Sequence, residues 1–160
     1  MEPANRNQWR ELLLQVSVGV ETGVLAGVAS LSWLVLHTVL EGRPSWAVPA
    51  EIAALVRDEL GDSPVFGLAL HIAASGTLGA LLSVPARRLL RSGRTLLPGL
   101  LAGLGIYVAG NLPLAAGRRL LVPLPVPDWS ILVACLVFGA TLGVYPALLR
   151  KAMRKTEPST

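Results

Sequence analysis

The stretch LLLQVSVGVETGVLAGVASLSWLVLHTVL, residues 12–40, decides the fold class. It is longer than the about 20 apolar residues that cross a bilayer core, and Glu21 and His37 are its only ionisable side chains. Such a segment reads as a membrane-spanning helix, either tilted or emerging from the bilayer with extra turns. Three more apolar stretches follow, at 65–84, 96–116 and 129–149. Pro85, Pro98, Pro113 and Pro146 fall near their ends, where a lost backbone donor is easiest to tolerate. The expectation is an all-α integral membrane four-helix bundle, one domain over residues 1–160.

Composition points the same way. Hydrophobic residues make up 52% of the 160 and charged residues 15%, against roughly 25% charged in soluble domains. The mean hydropathy is +0.58. Disorder, collagen-like fibres and disulfide scaffolds are excluded, since Cys135 is the single cysteine and lies inside an apolar run. The net charge of +4 does not indicate nucleic acid, because the basic residues cluster at the ends of the apolar segments.

That clustering also gives an orientation. Arg6, Arg10, Arg87, Arg88, Arg91, Arg94, Arg150, Lys151, Arg154 and Lys155 fall on one side of four spans. Arg43, Arg57, Arg118 and Arg119 fall on the other, together with Glu41, Glu51, Asp58, Glu59, Asp62 and Asp128. Ten basic residues against four on short loops place both termini in the cytoplasm, with the chain in a bacterial inner membrane. The unbroken apolar run to Leu36 argues against a cleaved leader.

The outer connections have character of their own. Ile52, Leu55, Val56 and Leu60 recur at helical spacing after Pro49, which predicts an amphipathic helix over about 49–60. The expectation is that it lies in the outer interface with Trp46 as anchor. Residues 122–127 alternate proline and apolar residues and read as an extended strap. The basic tail is 150–160.

Each span carries a line of small residues at four-residue spacing, the pattern that lets helices approach closely in lipid. These lines are Gly19, Gly23 and Gly27; Gly67, Ser75 and Gly79; Gly99 and Gly103; and Cys135, Gly139 and Gly143. The halves echo one another: Gly23–Gly27 resembles Gly99–Gly103, and Thr77-Leu78-Gly79 resembles Thr141-Leu142-Gly143. A parallel duplication of two spans would produce this pattern.

Ionisable groups inside spans are functional candidates because hydrocarbon makes them costly. His37, His71, Tyr107 and Asn111 fall toward the outer ends of their spans and could form one polar cluster. Bis-histidine ligation of a b-type haem by His37 and His71 is one use of such a cluster; interhelical hydrogen bonding is the simpler one. Glu21, with Ser17 and Ser32, lies on the face opposite the glycines and suits a partner chain or an ion path. No phosphate loop, His-Glu-x-x-His pair or nucleophile elbow is present, so no catalytic or metal site is expected.

The glycine-rich first span, the Pro-flanked segment Arg43–Pro49 and the run Leu70-His71-Ile72-Ala73-Ala74-Ser75-Gly76 resemble small four-span bacterial inner-membrane proteins of uncharacterised families. That resemblance implies a topology and no chemistry. The expected role is a non-enzymatic accessory or structural subunit of a membrane complex, or a homo-oligomer, with the bilayer and other membrane subunits as partners. A small oligomeric transporter or channel using Glu21 and the His37/His71/Asn111 cluster is the alternative, and a haem-binding subunit the second.

Overall fold

The computed structural model describes the backbone of residues 3–54, 63–89, 96–111, 124, 126–145, 147–149 and 151, and the side chains of these from residue 8 onward except 84–89. Five helices carry them: α1 Pro3–Leu40, α2 Ala47–Ala54, α3 Pro64–Leu89, α4 Leu96–Asn111 and α5 Asp128–Leu142.

Local signals explain the ends. α1 stops in a Schellman turn: Gly42 takes φ +75° and its N–H donates to Val39 O, while Arg43 N–H donates to Thr38 O. α3 begins with Ser63 as N-cap, its Oγ accepting from Phe66 N–H at 3.3 Å, and Pro64 next, where the missing N–H costs nothing. At the far end of α5 the helix breaks at Gly143-Val144. Pro146 follows, and its ring nitrogen has no hydrogen to give the Leu142 carbonyl. Hydroxyls inside apolar helices bond back to their own chain, Thr22 to Val18 O and Thr38 to Leu34 O at 2.7 and 2.8 Å. That satisfies them without any partner helix.

Among the described residues, three helical segments are long and apolar enough to cross a membrane: Gln8–Leu40, Pro64–Ser83 and Asp128–Leu149. The expected count of four spans is therefore not met by length alone. α4 has 16 residues and is about 24 Å long at 1.5 Å per residue. Residues 112–116 of the expected third span lie outside the described residues.

Packing is built from two antiparallel hairpins. In the first, α1 crosses α3: a Cβ on Gly19 would come within 2.7 Å of Ser83 Cβ, one on Gly23 would strike Ser75 O, and one on Gly27 would strike Ser75. In the second, α4 crosses α5: a Cβ on Gly99 would strike Gly139 O, and one on Gly103 would strike Cys135 O. Backbones this close gain dispersion contacts that larger side chains would forbid. The two crossings match position for position when Gly23 is set on Gly99 and Gly79 on Gly143.

One seam joins the hairpins. α1 packs along α5, and the helix pairs that make extended contact are α1–α3, α4–α5, α1–α5, α2–α3 and α1–α2. α3 and α4 are not among them. Trp33 Nε1 donates to Ser130 O and Oγ at 3.2 Å at one end of the α1–α5 seam. Tyr145 Oη donates to Gln15 O at 3.3 Å at the other. In the register of the glycines, the matching positions across α3 and α4 are Ala109 for Trp33, Val65 and Phe66 for Trp129 and Ser130, and Leu81 for Tyr145. None of these can supply the same bonds. Val65 and Leu81 remain 76% and 65% exposed.

The described part of the expected amphipathic helix is α2. α2 spans Ala47–Ala54 and buries Val48, Pro49, Ile52 and Ala53. It packs on α3, where a Cβ on Gly67 would strike Pro49 O. Gly67 thus admits α2 into the bundle, and Val48 and Ile52 join Leu31, Leu34, Val126, Ile131, Ala134 and Cys135 in one core cluster. The helical pattern at Leu55, Val56 and Leu60 falls outside the described residues. Of the expected strap, Val126 is buried in this cluster and Leu124 packs against it.

Candidate functional site: a lateral cleft containing His71

Between α3 and α4, which make no extended contact, a cleft of about 420 Å³ opens. Leu70, Ala74 and Leu78 of α3 form one wall, Ile106 of α4 and Phe138 of α5 another, and Leu34 of α1 the floor. Its lining is apolar except for Ser30, His71, Ser75 and the Cys135 thiol. A mostly apolar pocket of this size with a few placed polar groups has the form of a small-molecule site.

His71 is positioned by α1. Its Nε2 lies 3.1 Å from Gly27 O, at a crossing close enough that a Cβ on Gly27 would strike Ser75. Ser30 Oγ donates to the same carbonyl at 3.0 Å and stands 3.5 Å from Nε2. A carbonyl only accepts, so in the neutral imidazole the proton is on Nε2 and Nδ1 is left as the acceptor. No protein donor bonds to Nδ1 among the described residues. It is not sealed in either, since the one buried, partnerless side-chain polar atom among those residues is His37 Nδ1.

The structure separates the expected outer cluster. His37 is 8% exposed and packs edge-on against Trp129, with ring centroids 4.7 Å apart, in a knot that also contains Trp33. Its Nδ1 lies 3.7 Å from Glu41 Oε1. His71 contacts α1 at Gly27, ten residues before His37 and so about 15 Å along the axis. The two rings are not brought onto one point, and their surroundings do not fit a shared haem iron. Asn111 spends its Nδ2 on Tyr107 O of its own helix at 2.9 Å. Tyr107 packs against the core cluster. No group of three or more His, Cys, Asp or Glu that could hold a metal occurs among the described residues.

Glu21 is exposed on α1, away from the buried Gly19 and Gly23. Gly19 lies against Ser83, four residues short of Arg87 in the sequence. The glycine stripes are consumed by contacts within the chain, whereas Gly105 meets open space.

Comparison with protein-family models, with curated proteins and with solved structures finds no match.

Two features of the site are not conveyed by helical spacing: the lack of extended α3–α4 contact and the place of Cys135 on the cleft wall. Val65 and Leu81, standing at the positions that match Trp129 and Tyr145, are the sequence signal for the first.

Proposed function

We propose that this chain is a non-enzymatic accessory protein of the bacterial inner membrane that holds an apolar molecule taken from the bilayer in the cleft between α3 and α4. It crosses the membrane four times with both termini in the cytoplasm. α4 is the remaining span. Its contacts with Gly139 and Gly143 keep it at the depth of α5, and the sequence continues apolar at Leu112 and Leu114–Ala116. The observation that carries the function is the cleft itself: an opening of about 420 Å³ between helices, apolar on its walls, with one hydrogen-bonding ring inside. Guests can enter sideways, because α3 and α4 make no extended contact with one another.

The test is photolabelling of purified protein in lipid nanodiscs with an alkane bearing a diazirine, followed by mapping of the adducts. Labels concentrated on Leu70, Ala74, Ile106 and Phe138 support the reading. Labels spread evenly over Leu25, Leu68, Leu101 and the other exposed leucines would overturn it.

A further inference from the structure

Resting on the cleft as a binding site, the geometry points to the chemistry of its guest: we infer an apolar molecule headed by a hydroxyl group, which donates its hydrogen to Nδ1 of His71. Three observations carry this. The Nε2 edge of the ring is committed to Gly27 O at 3.1 Å, and Cδ2 of the same edge would lie 3.8 Å from a Cβ on Gly27. Nδ1 is on the opposite side of the ring from that edge, and His71 is one of the residues that line the cleft. Nδ1 has no protein donor among the described residues and is not buried out of reach. An acceptor facing hydrocarbon without a donor is costly, so a guest supplying one O–H gains more than a guest without it.

The acceptor also sorts headgroups. An ether, an ester without a free hydroxyl or a ketone offers only lone pairs, and lone pairs do not bond to a bare Nδ1. Ser30 cannot substitute, because its hydrogen is spent on Gly27 O at 3.0 Å. His71 is the eighth residue of α3, about 10 Å along the axis from its first. A hydroxyl there leaves its hydrocarbon tail pointing among Ala74, Leu78 and Phe138. Long-chain alcohols and phenols with an apolar tail share this chemistry.

The chain has two histidines, so the imidazole nitrogens can be followed individually by NMR in histidine-labelled protein reconstituted in nanodiscs. The probes are n-dodecanol, nonylphenol, dodecyl methyl ether and dodecane. The expected result is that a hydroxyl-bearing probe shifts the Nδ1 resonance of His71 and leaves His37 unmoved, while the ether and dodecane shift neither. A response to the alcohol alone or to the phenol alone identifies which source the site takes. His71→Phe should weaken binding of the responding probe about tenfold, the loss of one hydrogen bond, and leave ether binding as it was. Should ether, alkane and alcohol all displace the diazirine probe equally with Nδ1 unshifted, the hydroxyl inference fails and the cleft reading survives. If none displaces it, the cleft reading itself fails. The wild-type arm decides between these outcomes even if the variant does not fold.

Discussion

The Cα atoms of Gly23 and Gly79 pass so closely that a Cβ built on Gly23 would be 2.9 Å from Gly79 Cα, and one on Gly79 would be 2.6 Å from Gly23 Cα. No flexible side chain can move aside at this crossing, since backbone faces backbone. Gly23→Leu or Gly79→Leu must therefore push α1 from α3, with an expected loss of at least about 1–3 kcal/mol. Gly105→Leu, facing open space, should be neutral or slightly stabilising because glycine is a poor helix former. Thermal unfolding in a mild detergent compares the three; equal losses at Gly79 and Gly105 would contradict the packing described.

That crossing also shows what spacing can and cannot convey. Four-residue repeats put Gly19, Gly23 and Gly27 on one helix face, and that much is readable from their numbers alone. Which helix each face meets depends on the order of packing, which local spacing does not encode. The same limit applies to α2. Pro49 and Ile52 announce an amphipathic helix, but the bilayer surface and the bundle interior are both apolar hosts for it. Gly67 decides between them by leaving room for Pro49 O. For the histidines, helical periodicity sets His37 on the glycine stripe but does not show that Trp129 of α5 meets it.

The seam between the hairpins is open to a direct test. Trp33→Phe keeps most of the ring and removes the donor to Ser130. Bonds of this kind inside membranes contribute about 0.5–2 kcal/mol, so an unfolding measurement should fall by that amount. Ser130→Ala in the Trp33→Phe background should cost less than in the wild type. Additive losses would mean the two side chains do not interact.

The turn after α1 makes a purely conformational prediction. Gly42 has φ +75°, and a Cβ placed on it would meet nothing within 4 Å. Gly42→Ala should then cost about 1–2 kcal/mol through backbone strain alone, and Gly42→Asn clearly less, because asparagine tolerates the left-handed region. Paired melting curves of the two variants report this ordering, and an alanine variant as stable as wild type would refute it.

Topology can be read by cysteine labelling in a Cys135→Ala background. An impermeant maleimide applied to intact spheroplasts should label Trp46→Cys and Arg119→Cys. Lys151→Cys and Arg94→Cys should label only after permeabilisation. Arg119→Cys is the critical site, because its labelling from outside requires α4 to cross. Labelling of Arg94→Cys and Arg119→Cys from one side only would reduce the count to the three long helices.

The lack of extended contact between α3 and α4 has a mechanical consequence. The bundle resembles a book whose spine is the α1–α5 seam, clasped at Trp33 and Tyr145, with α3 and α4 as its loose covers. α2 is the stay that limits how far the covers can part: it packs on α3 while Val48 and Ile52 sit in the cluster built on the spine, so the space beside His71 cannot widen without drawing those two side chains out of the core.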